Sequence, residues 1–460
     1  MEWCSLVLWK TPNASCVAPV WIIAPKKLSV TRLVLGNKVK LMKITILNGS
    51  PALAQFDAYL AGLASGLVSL GHAVNMINLR GIPLRHCVGC WGCWVKTPGQ
   101  CRSCDASLDM DRAVIQSEFT LWAAPLKMGF PTELLKMALD KHLPLIHPYV
   151  EVAYSEAHHL RRYPRSPRVG LLLEKEATTD AQDLQIIRDI HCRTAINFKT
   201  RLEFMLTTDT PMSEVTQRIT APTVRPLPIP RHLSPTEGVT ISPPAQLTFF
   251  NGSPRGRKGN TPLMLDQLAI GFGGTTETFH LIRMKDTQQM VHAFARAECA
   301  ILGFPLYTDS MPGIVKHFLE ALEPLASCRN NPPLGFLVQS GFPEGLHSRY
   351  VERYLEKLAA RMGSPYLGTI VKGGGEGTRA MPPEMTRTLF ANLQTLGAGL
   401  AANGRFDPQV LKAIAKPERY PAILGPVFQV VLRLPFAHAY FDNMLKQNGA
   451  FAQRFARPFA

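Results

Sequence analysis

The chain has 460 residues, of which 46% are hydrophobic and 18% charged. That much apolar material excludes a disordered chain, and the length argues for two domains. Fifty Lys and Arg against 34 Asp and Glu give a formal charge of +16. Without a basic helix carrying interleaved aromatics, this charge excludes nucleic acid as the leading partner and favours a phosphate-bearing cofactor or an acidic partner.

Residues 1–41 hold six basic side chains and one acidic, begin Met-Glu, and are cut by Pro12, Pro19 and Pro25. They lack the basic leader of a secretory signal and match nothing later in the chain. Met42-Lys43-Ile44 opens the first strand, so 1–41 is read as an extra, non-native segment, with translation beginning at Met42. KITILNGSP, ending at Pro51, reads as strand and tight loop, and LAQFDAYLAGLASGLVSLG after it as a helix. Next comes HCVGCWGCWVKTPGQCRSCDASLD (86–109), which holds five of the ten cysteines. EFTLWAAPLKMGFPTELLKMALDK (118–141) reads as a buried strand, a Pro-containing loop and a helix. VGLLLE (169–174) is a further buried strand.

Residues 209–245 hold eight prolines in 37 positions, the composition of an extended linker. Beyond it the first half repeats. QLTFFNGSP ends at Pro254 and is followed by NTPLMLDQLAIGFGG. ECAILGFPLYTDSMPGIVKHFLEAL (298–322) parallels 118–141, with Pro125 to Lys136 and Pro305 to Lys316 both eleven residues apart. LGFLVQ (334–339) parallels VGLLLE. Strands alternating with helices predict parallel sheets covered on both faces. The expectation is α/β: two doubly wound parallel-sheet modules in tandem, 42–208 and 246–400, joined by the linker 209–245 and followed by a helical C-terminal extension, 401–460. The apolar stretch 421–441 contains Pro426, Arg433 and Pro435. It reads as a packed helix rather than a membrane span, and a cytoplasmic protein with reduced cysteines is expected.

The first module is longer between its loop prolines, 74 residues from Pro51 to Pro125 against 51 from Pro254 to Pro305. The cysteine segment accounts for nearly all of the excess, so it is a loop added to one copy. In the other copy, NGSPRGRKGNT (251–261) has what a phosphate-binding loop at a helix start needs. Its glycines allow close backbone approach, Ser253 and Thr261 offer hydroxyls, Asn260 can cap, and Arg255 can pair with a phosphate. Neither GxGxxG after a strand nor GxxxxGK[ST] occurs, which favours a mononucleotide such as FMN over NAD as the tightly held ligand.

With NGSPRGRKGNT, the FPLYTDSMPG loop and CVGCWGCWVKTPGQC in view, the sequence resembles the flavodoxin-like NAD(P)H-dependent FMN reductases, including the iron–sulfur flavoproteins. The resemblance spans both modules in tandem. It implies FMN phosphate at Ser253, Arg255, Asn260 and Thr261, and the isoalloxazine ring against Pro305, Leu306, Tyr307 and Ser310. The first module lacks the Arg and the Asn-Thr; its matching positions are Ser50, Pro125 and Lys127, with Lys127 able to replace part of the lost charge.

Cys87, Cys90 and Cys93 form CxxCxxC, and Cys101 follows. Four thiolates on one loop can hold a [4Fe–4S] cluster, and the resemblance implies Cys87, Cys90, Cys93 and Cys101 as its ligands. A zinc site on Cys87, Cys90, Cys101 and Cys104 fits two CxxC knuckles, and free or redox-paired thiols remain a third reading. Cys299 reads as a core residue. His158 and His159 read as a solvated loop, His86 as structural, and GGGEG (373–377) as a flexible loop near the ligand face. No catalytic side chain is assigned, because the flavin carries the chemistry.

These parts point to an FMN-dependent NAD(P)H oxidoreductase passing electrons to a small-molecule or protein acceptor. The alternatives are a non-enzymatic flavin-binding electron carrier and a zinc-stabilised interaction protein with a degenerate module. No nucleic-acid or membrane partner is expected; the oligomeric state is left open, a homodimer among the options. The duplicated chain is also expected to mimic a dimer, the cysteine loop of one module facing the flavin of the other.

Overall fold

The structure is a computed structural model that describes residues 41–153, 156–221, 226–228, 233–326, 328, 330–420, 432 and 434–460. The expectations for 1–40 and for most of 421–434 lie outside the described residues. The first half runs β1 (Lys43–Asn48), α1 (Ala54–Ser69), β2 (Ala73–Asn78), α2 (Gly92–Val95), α3 (Ser107–Ile115), β3 (Phe119–Lys127), β4 (Phe130–Pro131), α4 (Glu133–Lys141), β5 (Ile146–Ala153), β6 (Glu156–Arg161), β7 (Arg168–Glu174), α5 (Ala181–Asn197), β8 (Leu202–Thr207) and α6 (Met212–Thr220). The second runs β9 (Gln246–Asn251), α7 (Asn260–Phe272), β10 (Thr275–His280), α8 (Thr287–Ala295), β11 (Ala300–Pro305), α9 (Gly313–Ala321), β12 (Leu334–Gln339), α10 (Leu346–Arg361), β13 (Tyr366–Lys372), α11 (Pro383–Asn403), α12 (Pro408–Ala415) and α13 (Pro435–Gln447).

Two parallel sheets form, in the orders β2-β1-β3-β7-β8 and β10-β9-β11-β12-β13. Counted within each half, both are 2-1-3-4-5, the flavodoxin-like order. The central strands are apolar throughout because helices cover both faces: every residue of β11 and of β12 is buried. The edge strands β2 and β10 carry exposed polar residues instead. The fold is thus the expected α/β pair with a helical C-terminal region.

Two local expectations are corrected. Met212–Thr220, inside the stretch read as extended linker, is helical, because Val215 and Ile219 form an apolar stripe that is fully buried. His158 and His159 are not on a solvated loop but on β6, which pairs antiparallel with β5. His158 is 0% exposed, its Nδ1 2.8 Å from Asn197 Oδ1.

The halves are not separate bodies. One hydrophobic cluster runs from Leu171 and Leu173 on β7 to Phe304 on β11 and Val338 on β12. Across the contact of α4 with α9, the repeated lysines are exchanged. Lys136 pairs with buried Asp140 on its own helix and donates to the Tyr307 carbonyl of the other module at 3.1 Å. Lys316 pairs with Glu320 at 2.7 Å and donates to the Lys127 carbonyl at 2.9 Å. The carboxylates cross as well: Asp140 accepts from the Gly313 amide at 2.8 Å and Glu320 from the Glu133 amide at 2.5 Å. Tyr307 and Lys127 occupy matching places two residues after Pro305 and Pro125, so the contact is a pseudo-two-fold axis.

Removing one partner of a buried pair strands the other charge, at a cost of about 3–5 kcal/mol. Lys136→Met is expected to lose that much stability in chemical denaturation, because Asp140 is only 3% exposed. Lys316→Met is expected to lose less, since Glu320 keeps 19% exposure and can be hydrated.

Candidate functional site

Ligands of doubly wound sheets bind beyond the carboxyl ends of the strands. In the second sheet that end is formed by the loops after Asn251, Pro305 and Gln339. Above them lie the cysteine loop, the β5–β6 hairpin and the end of α5, all from the first module, and α13. Together they enclose a cavity of about 350 Å³, the size of a small-molecule site. Trp91, Trp94, Phe342, Tyr440 and Phe441 give it aromatic walls, and Asn197, Asp309 and Glu376 supply polar groups.

The first loop brings the four expected phosphate residues together. Ser253 Oγ accepts from the Arg255 amide at 3.3 Å. Thr261, in the first turn of α7, is 0% exposed and its hydroxyl has no partner. That orphan hydroxyl and the free amides of a helix start are the groups an anion would use. Arg255 and Asn260 are engaged elsewhere. The Arg255 guanidinium donates to the Gly89 carbonyl at 2.7 Å and to Glu376 at 2.6 Å, and lies 4.3 Å over the Trp91 ring. Asn260 donates to the Glu376 carbonyl at 2.5 Å and accepts from the Arg379 amide at 3.1 Å. The stretch read as a flexible loop therefore lies at the ligand face, as expected, but is latched there, its end forming the 3-10 turn Gly375–Ala380. Burial raises the Glu376 carboxyl above its ordinary range, with Arg255 pulling it back.

The second loop is a tight turn. Tyr307 and Ser310 exchange backbone hydrogen bonds, both 2.9 Å, and Thr308 and Asp309 between them have φ of 41° and 61°. Leu306, Tyr307, Thr308 and Asp309 line the cavity; Pro305 and Ser310 are buried behind it. Tyr307 reaches the cysteine loop: a Cβ on Gly89 would stand 2.1 Å from its phenol oxygen.

The first module has the same turn, with its amides engaged. Met128 and Gly129 have φ of 53° and 70°, but their amides donate to the Glu176 carboxylate at 2.7 and 2.8 Å. Tyr354 of α10 donates to the Met128 carbonyl at 3.0 Å. Lys127 pairs with Glu323 at 2.9 Å, Ser50 is 0% exposed and its hydroxyl accepts from the Leu53 amide, and Pro125 is buried. The structure does not gather Ser50, Pro125 and Lys127 around an open space. The cause is one position: Glu176 stands two residues beyond β7, and the residue two beyond β12 is Gly341.

The cysteine loop crosses onto the second module. Burial pushes the Cys93 thiol well up, and Cys87, Cys101 and Cys90 each push it further. Burial likewise raises Cys87 to about 12, against hydrogen bonding from the Gly89 backbone. The Gly92 and Ser103 amides donate to Cys90 and Cys101 sulfur at 3.5 Å. Lys141 donates to Cys101 sulfur at 3.1 Å and pairs with Asp105 at 2.8 Å. Among the described residues, no three His, Cys, Asp or Glu side chains converge as an ion would require. Cys299 is a core residue, 0% exposed. His86 pairs with Glu133 at 2.8 Å.

Sequence reading missed Asp309, Asn197, Glu376 and the aromatic pair Tyr440 and Phe441. Asp309 and Glu376 lie in stretches that were singled out, without a pattern to mark them. Asn197 and the aromatic pair come from distant helices and give no local signal.

No family model and no curated protein sequence matches the chain. Three solved structures are similar to part of it. An FMN-dependent NADH-azoreductase from Bacillus anthracis shares 11% identity over 34% of this chain and 99% of its own, with a TM-score of 0.28. An NAD(P)H:quinone oxidoreductase from Methanothermobacter marburgensis shares 16% over 34% and 94%, at 0.27. An NADH:FMN oxidoreductase in apo form shares 17% over 36% and 93%, at 0.29. Scores this low carry no argument, and the fold rests on strand order. No helix among the described residues is long and apolar enough to cross a membrane.

Gly89 has φ of +63° and no room for a Cβ. Gly89→Ala is expected to unseat the cysteine loop from Tyr307 and to cost roughly 1–3 kcal/mol. Thermal unfolding, with limited proteolysis of the loop, reads both effects.

Proposed function

We propose that the chain is an FMN-dependent oxidoreductase that takes electrons from NAD(P)H and passes them to a small-molecule or protein acceptor. The observation that carries this reading is the aromatic-walled cavity. It lies at the carboxyl end of the second sheet, and Glu376 in its wall bonds Arg255 and Asn260 of the loop in which the buried Thr261 hydroxyl has no partner. The walls suit a flat ring system, and the start of α7 suits its phosphate. Bound there, FMN would supply hydride and electron transfer. The protein's own part is to hold the phosphate at Ser253, Thr261 and the first amides of α7. Leu306 and Tyr307 would flank the ring, and Trp91, Trp94 and Phe342 would keep water from it.

The CxxCxxC spacing followed by Cys101 supports a [4Fe–4S] site on Cys87, Cys90, Cys93 and Cys101, although among the described residues these side chains do not converge as ligands. Such a site would be a one-electron relay reaching the cavity through Gly89 and Tyr307. Zinc or free thiols are the competing occupancies. The first module supplies in cis much of the wall over the second module's cavity. The sealed turn of the first module favours the non-enzymatic reading for that half.

Anaerobically purified protein is expected to contain one FMN per chain, bleached by NAD(P)H, with iron and acid-labile sulfide in the cluster ratio. FMN without metal would retain the reductase and remove the relay. Zinc without flavin would overturn the proposal. Glu376 occupies Arg255, one of three basic side chains on the loop with Arg257 and Lys258. Glu376→Gln is therefore expected to tighten FMN binding about tenfold, the worth of one charge-assisted hydrogen bond, and to leave riboflavin binding unchanged. Equal effects on both ligands would place the phosphate elsewhere.

A further inference from the structure

Asp309 is expensive where it stands. Its backbone is left-handed, with φ of 61°, a region costly for residues other than Gly and relieved only in part for Asp and Asn. The matching residue of the sealed turn is Gly129, φ 70°, which carries no such penalty. Asp309 is also 3% exposed yet lines the cavity, so its carboxyl is held largely out of water. One group braces it: Asn197 of α5 donates to both of its oxygens, at 2.9 and 3.0 Å. Asn197 in turn is fixed by His158, at 2.8 Å. A staple between α5 and this turn does not require the acid, since Thr194 already donates to the Thr308 carbonyl at 3.0 Å.

We propose that Asp309 is the proton donor of the cavity, serving a planar, quinone-type acceptor as it is reduced there. The inference rests on the reductase reading. A quinone that receives a hydride, two electrons and one proton, at one carbonyl oxygen from the NAD(P)H-reduced flavin is left with an oxyanion at its other oxygen. The Asp309 O–H bond breaks, its proton passes to that oxyanion, and the neutral hydroquinone leaves. The carboxylate then takes a proton from water at the cavity mouth. The electrostatics allow the acid form to exist. Burial raises the Asp309 carboxyl, while Arg193 and Asn197 on α5, His158 on β6 and Lys136 on α4 pull it back. The sign follows: the donor is lost as pH rises through the raised value, so acceptor reduction falls on the alkaline side.

Stopped-flow kinetics with a 1,4-naphthoquinone, on flavin-loaded protein, tests this. In Asp309→Asn the rate of the acceptor step relative to flavin reduction by NAD(P)H is expected to fall about 100-fold or more, and the alkaline limb to vanish. A second variant, Asp309→Gly, matches Gly129 and relieves the strained turn; added acetate is expected to restore its acceptor step. A readout without cofactor accompanies these. Between the ordinary carboxylate value, about 3.9, and the raised one, the folded state binds the proton and the unfolded state does not. Wild-type stability therefore declines with rising pH across that window, and Asp309→Asn lacks the decline. An unchanged ratio with an unchanged pH profile would overturn the proposal, as would equal losses in both half-reactions or failure of acetate rescue. Wild-type protein that binds no flavin would sink the reductase reading itself, a separable failure.

Discussion

The crossed lysines at the contact of α4 and α9 are the constraint on which the rest depends. Each ammonium is buried, paired on its own helix, and bonded to a backbone carbonyl in the turn of the other module. A buried ammonium tolerates little displacement from its acceptors, because a lost bond leaves a desolvated donor. The two turns are thereby fixed against each other. That placement carries the cysteine loop of the first module onto Arg255, Gly89 meeting Tyr307 on the way, and closes a cavity that neither half has alone.

Within this near-symmetric frame the two turns have diverged through a few residues. The backbones are alike, with consecutive left-handed residues at Met128 and Gly129 and at Thr308 and Asp309. Glu176 satisfies the amides of the first turn and seals it. Gly341, at the matching place, offers no side chain and leaves the second open. The sealed copy then serves as scaffold: it supplies the hairpin, the end of α5 and the cysteine loop as walls for the open copy.

Charge is handled locally rather than through the net excess of +16. Arg255, at the centre of the site, is occupied by a carboxylate, a carbonyl and an indole face. It acts as the suture between the modules. The same economy holds at Lys141, which serves Asp105 and Cys101 together. Cations that a sequence motif marks as ligand contacts are here also structural, because the site lies on an interface.

The sequence alone determined the repeat, the α/β class, the tandem order and the inserted cysteine loop. Those features live in local periodicity and spacing, which side-chain alternation and turn residues impose directly. The equal spacing from Pro125 to Lys136 and from Pro305 to Lys316 already carried the crossed lysines, though not what they bond. The strand-to-helix loop 251–261 was legible, but the engagement of Arg255 and Asn260 by Glu376 was not, since those partners are more than a hundred positions apart. His158 and His159 were misread because a polar segment looks solvated until a hairpin folds it against α5. Which module is open, and that Asp309 and Asn197 meet in its cavity, only the tertiary structure decided. Burial and long-range pairing depend on how two modules dock, and no local pattern encodes that geometry.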